Sequence, residues 1–183
     1  MDRAGASTMG VLRAGARKRK ECSLRRLAVL TVLALALPAV SEGRSLGFRG
    51  AGLRAGVSIA PNQVAFGGHL DLGEVVPGAS LLAVAEAGLG DNRILGSVGG
   101  DLLFRLPAGW EGWSPYAGGE LAFLFGRLDL PGPDNEGFSD LGLMGIVGIR
   151  RELRGGNRLA TEIKFGIVDA PDIKLLVVWT LAR

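Results

Sequence analysis

Three residues carry the elements of hydrolytic chemistry: His69 and Asp71, two apart in VAFGGHLDLG, and Ser58 shortly before them. A nucleophile works only when it is hydrogen-bonded to its base. Folding the chain back at Pro61-Asn62 puts Arg54 near His69 and leaves Ser58 about two cross-strand pairs away, beyond the ~3 Å reach that proton transfer needs. The three therefore read as lining rather than as a catalytic set. His69 and Asp71 belong to a longer series of single charges of both signs: Arg54, His69, Asp71, Glu86, Asp101, Arg105, Glu120, Arg150, Glu162, Lys164 and Lys174. Buried charges persist when paired, so mixed signs along one face suit a filled interior. A selective pore more naturally shows one sign. Asp129, Asp134 and Glu136 lie in the longest loop, 126–139, with Asp140 just after it, where carboxylates could bridge a divalent cation to lipopolysaccharide. Their spacing fits no calcium loop, and a solvated loop is the expectation. Its length makes it the expected recognition surface. No catalytic residue, metal ligand or cofactor is expected.

The charges sit at fixed parity in alternating segments. Ile94 to Leu106 sets Ile94, Gly96, Val98, Gly100, Leu102, Phe104 and Leu106 against Leu95, Ser97, Gly99, Asp101, Leu103 and Arg105. Period two means a strand with two unlike faces, and about a dozen residues can cross a bilayer at a tilt. The pattern recurs in Leu53–Ile59, Val64–Gly73, Leu81–Leu89, Pro115–Phe125, Leu141–Arg151, Leu159–Ile167 and Ile173–Leu181. Turn residues separate the segments: Pro61-Asn62, Glu74 to Gly78, Gly90 to Arg93, Gly155-Gly156-Asn157 and Asp169 to Asp172. Eight strands with short turns predict an all-β, eight-stranded antiparallel up-and-down barrel.

Residues 1–41 differ from the rest. They hold eight Lys/Arg and two Asp/Glu, a net +6 against +3 for the whole chain, leaving −3 for residues 42–183. The basic balance belongs to this leader, so a nucleic-acid partner is not expected. After the basic run comes the apolar core Leu27–Leu37, of signal-peptide length, and then Ala39-Val40-Ser41. The expectation is an exported chain cleaved near Ser41; a signal anchor or a buried helix is the alternative for this segment. Met9 offers a second start. Cys22, the single cysteine, precedes the apolar core, where a lipoprotein cysteine would follow it, so no disulfide or thiolate site is expected in the mature chain. A flexible lead-in, 42–52, then precedes the barrel, 53–183.

Alternation permits an apolar inside or an apolar outside. The polar face is mostly Gly, Ala and Ser with scattered charges, unlike a soluble surface, which is ~25–35% charged. Small residues suit the crowded lumen of an eight-stranded barrel. With both chain ends periplasmic, Phe104, Trp110, Trp113, Tyr116 and Trp179 gather at one rim, and Phe66, Phe123, Phe125 and Phe165 at the other, as two interfacial girdles. The expectation is a membrane barrel whose lumen is closed by paired charges, Arg150 with Glu162 among them. The same strands turned inside out would make a soluble, lipocalin-like periplasmic carrier of an apolar ligand.

On this pattern residues 53–181 resemble the small eight-stranded outer-membrane barrels, the OmpA-like and OmpX-like group. The resemblance implies a porin-like transmembrane barrel in a Gram-negative type of outer membrane, in contact with outer-membrane lipid. It also implies delivery by periplasmic chaperones to the barrel-insertion machinery. Members end on an alternating strand with an aromatic last residue. Ile173, Leu175, Val177, Trp179 and Leu181 match the alternation, whereas Leu181 and Ala182-Arg183 depart from the ending. Nothing in this sequence matches the peptidoglycan-binding domain that some OmpA-like proteins carry, and none is expected. A monomer with a structural or adhesive role is the leading expectation, and a lipid-active barrel enzyme using His69 is the alternative.

Overall fold

A computed structural model describes residues 45–90, 93–128 and 136–183. The leader with Cys22, the turn residues Asp91-Asn92 and the loop acids Asp129 and Asp134 lie outside the described residues. Eight strands form: β1 (Ser45–Ile59), β2 (Gln63–Val76), β3 (Ala79–Gly90), β4 (Arg93–Arg105), β5 (Trp113–Leu128), β6 (Glu136–Glu152), β7 (Arg158–Val168) and β8 (Ile173–Ala182). Each pairs antiparallel with the next, and β1 closes on β8 through Leu53 opposite Trp179. Closure leaves no strand edge with unpaired backbone groups, the condition for backbone in hydrocarbon.

All eight expected strands are present, most of them longer than the alternation indicated. The largest difference is at the start. Ser45–Gly52, expected in a flexible lead-in, belongs to β1, with Ser45 opposite Glu74 and Gly50 opposite both Asp71 and Ala182. A register shift between Leu46 and Gly50 breaks the period-two pattern there. The ends of β2 and β8 nevertheless offer this segment backbone partners, which sequence alternation does not report.

Two ends of the barrel can be told apart. The terminal rim carries Ser45, Ala182 and the connections 77–78, 106–112 and 153–157; the far rim carries 60–62 and 169–172. At Pro77-Gly78, Pro supplies the fixed φ and Gly78, at φ 84°, the left-handed position of a type II turn.

The faces are sorted as expected for a membrane barrel. Leu53, Val57, Val64, Leu70, Val98, Phe123, Ile163 and Val177 are exposed on the outside, while Arg54, Glu86, Asp101, Glu120, Glu162, Lys164 and Lys174 are buried inside. The soluble, inside-out carrier is thereby overturned, because the interior holds charges where an apolar ligand would need apolar walls. Exposed Phe104, Trp110 and Trp179 stand towards the terminal rim, and exposed Phe66, Phe123, Phe125 and Phe165 towards the far rim. Trp113 is half-buried, and the Arg151 guanidinium lies 5.7 Å from its ring centroid. Phe48, within the unexpected part of β1, adds another exposed aromatic.

Candidate functional site

The side chains with chemistry meet at mid-lumen. Arg54 enters from β1, Glu86 from β3, Asp101 from β4, Glu120 from β5, Glu162 and Lys164 from β7, and Lys174 from β8. Each shares the inward parity of its strand, and the register brings them to one level. Arg54 is the hub of one half, 2.7 Å from Asp101, 3.3 Å from Glu86 and 3.6 Å from Glu162. Lys164 is the hub of the other, 2.7 Å from Glu120, 3.0 Å from Glu86 and 3.5 Å from Asp101. Lys174 donates to Glu86 at 2.9 Å. Glu86 alone touches all three cations. Glu120 meets only Lys164 among them, and it stands directly across from Asp101, another carboxylate.

A shell of neutral polar groups orients this layer. Arg54 Nε donates to His69 Nδ1 at 3.5 Å, and His69 Nε2 lies 2.9 Å from Thr180 Oγ1. With Nδ1 accepting, the network assigns the ring proton to Nε2, which donates to Thr180. Tyr116 donates its hydroxyl to Glu162 at 2.8 Å. Two glycines make room for these rings. A Cβ on Gly52 would lie 2.3 Å from His69 Cε1, and one on Gly148 would lie 2.5 Å from Tyr116 Cζ. Part of the glycine content, 30 residues of 183, is thus close approach inside a narrow barrel.

Three expectations are corrected here. Tyr116 does not stand in an interfacial girdle; it is buried in the lumen, as its shared parity with Gly118 and Glu120 dictates. Arg150 and Glu162 do not pair. The hairpin turns through 153–157, with Gly155 and Gly156 at φ 76° and 80°, so Glu162 lies opposite Gly148 and Arg150 opposite Ala160. That register is two residues from the one imagined, which preserves the inward face and exchanges Glu162's partners for Arg54 and Tyr116. Arg105 and Arg150 stand outside the mid-lumen network altogether, at the terminal mouth. Asp71 also belongs there, ion-paired with Arg158 and accepting from the Gly73 amide at 2.9 Å. Arg158 was missed by starting β7 one residue late, although its parity with Glu162 and Lys164 gives the signal. Ser58 is buried opposite Gln63 and Lys174, whereas His69 lies opposite Gly52. Six residues of β1 separate the two levels, roughly 20 Å of strand, too far for a nucleophile and its base. Asp140 is exposed on β6.

The charge layer fills the middle of the lumen. On its far-rim side Ser58, Gln63, Ser97 and Lys174 border a void of about 10 Å³, the space of a single water. Apolar lumen residues Met144, Ile146 and Leu176 fill the neighbouring volume and are almost wholly buried. At the terminal rim the lumen instead widens into a vestibule of about 630 Å³. Five arginines line it: Arg49, Arg105, Arg150, Arg158 and Arg183. Three carboxylates oppose them, Asp71, Glu74 and Glu152.

The closed barrel matches solved structures. Neisserial surface protein A aligns over 74% of this chain and 92% of its own, at 12% identity and a TM-score of 0.52. The N-terminal β-barrel domain of Pseudomonas aeruginosa OprF aligns over 74% of this chain and 99% of its own, at 12% identity and a TM-score of 0.53. The fold is that of the small eight-stranded outer-membrane barrels. No protein-family model matches the sequence, and no curated protein matches it. The likeness to this barrel group is one of architecture, and the mid-lumen charge layer is described from this chain alone.

Proposed function

We propose that this chain is a non-enzymatic outer-membrane barrel with a structural or surface-interaction role. The observation that carries the reading is the combination of an outward apolar belt with a lumen plugged by ion-paired side chains. Such a body is stable in a bilayer and has no through-path for solute. Residues 1–41 act as its export signal, cleaved near Ser41. The insertion machinery and periplasmic chaperones are its assembly partners, and lipid surrounds a monomer whose terminal rim faces the periplasm. His69 serves here as a spacer between Arg54 and Thr180 rather than as a base.

Cell fractionation combined with heat-modifiable gel mobility tests the location; recovery as a soluble periplasmic protein would overturn it. Planar-bilayer recording on the purified barrel tests the plug. The expected trace is flat, and steady porin-sized conductance would show an open lumen. N-terminal sequencing of the exported protein should find Leu27–Leu37 removed. The enzyme alternative requires His69→Ala to abolish a lipid A modification, and no such modification is expected in the wild type.

A further inference from the structure

The vestibule at the terminal rim holds charge that the barrel's own side chains leave uncompensated. Arg158 is fixed by Asp71. Arg105 and Arg150 form no ion pair or side-chain hydrogen bond among the described residues. They flank β5, with Arg105 opposite Tyr116 and Arg150 opposite Ser114. Arg150 faces the like charges of both Arg105 and Arg158, offset only in part by Tyr116 and Glu152. Three guanidinium groups from β4, β6 and β7 thus share one cavity, and of its three carboxylates none is ion-paired to Arg105 or Arg150.

We propose that Arg105, Arg150 and Arg158 form a binding site for a phosphate group at the mouth of the barrel. Guanidinium forks match oxyanions through paired N–H donors. A phosphate offers three or four oxygens to donors arriving from different walls, whereas a carboxylate offers two and suits one fork. The cavity, at about 630 Å³, exceeds a bare phosphate and leaves room for the group that carries it. Its walls are chiefly polar, so that carrier is hydrophilic where it enters. Two sources present this chemistry at such a place: the headgroup of an anionic phospholipid and a water-soluble phosphate ester.

The test uses the full barrel in a phosphate-free maltoside detergent, titrated with inorganic phosphate at low ionic strength and followed by phosphorus NMR. A parallel arm places the barrel in phosphatidylcholine vesicles containing spin-labelled phosphatidylglycerol. Heat-modifiable mobility confirms that each variant is folded, so failure here is separable from failure of the membrane reading. Arg105→Gln combined with Arg150→Gln should weaken the interaction about tenfold or more. Arg127→Gln, an exposed arginine towards the far rim, should leave it unchanged. Saturable phosphate binding lost in the double variant supports a soluble ester. Selective retention of phosphatidylglycerol, lost in the double variant without free-phosphate binding, supports a lipid headgroup. Saturation in neither arm, equal binding by the double variant, or acetate binding as tightly as phosphate would overturn the proposal.

Discussion

Arginine occupies two contrasting settings in this barrel. At mid-lumen, Arg54 is almost wholly buried and reaches three carboxylates from three other strands. At the terminal mouth, Arg105 is exposed and Arg150 half-buried, and they face other arginines. Both settings arise from the same inward parity. The difference is depth. Where water is excluded, a guanidinium persists only if carboxylates arrive at its level, because an unpaired buried charge is strongly destabilising. At the mouth, water solvates the cation and no partner is required. The inner layer is therefore held by ion pairs, and the outer one stays in contact with water.

The sharpest way to break this contrast is Arg54→Met, which strands Glu162 without its cation and leaves Asp101 with only Lys164, 3.5 Å away. We expect a loss of about 3–5 kcal/mol, read as a lowered urea midpoint for unfolding from lipid vesicles. A loss below about 1 kcal/mol would mean that water reaches the layer and that the two settings do not differ. Next come two carboxylates of the same layer. Glu86→Gln removes the charge that touches Arg54, Lys164 and Lys174 and should cost about 2–3 kcal/mol. Glu120→Gln should cost less than about 1 kcal/mol, because it also relieves the like charge of Asp101 directly opposite. Equal costs for the two would show that net charge, rather than partner geometry, governs the plug.

Tyr116→Phe probes the boundary between the regions. It deletes the hydroxyl donated to Glu162 and should lower stability by about 1.5–2 kcal/mol. An unchanged urea midpoint would place that hydroxyl in water. The smallest effect is expected for Arg105→Gln with Arg150→Gln, within about 0.5 kcal/mol of wild type in the same assay without phosphate. A large loss there would assign the vestibule a structural role like that of the mid-lumen layer.

Much of this architecture is local in origin and so legible in the chain. Alternation at Ile94–Leu106 and its seven counterparts determined the strands. The same parity determined that Arg54, Glu86, Asp101, Glu120, Glu162, Lys164 and Lys174 share the inward face, because side chains on a strand repeat every two residues. Partner choice is a different kind of property. Parity leaves register free in steps of two, and the turn through Gly155-Gly156 settled it by setting Glu152 opposite Arg158. Only that step separates Glu162 from Arg150 and delivers it to Arg54 across the lumen. The start of β1 was equally invisible, because Ser45–Gly52 is a strand by virtue of what β2 and β8 offer it rather than by its own pattern. The convergence of Arg105, Arg150 and Arg158 on one vestibule likewise required closure of the sheet, since β4, β6 and β7 share a cavity only once the barrel wraps them around it.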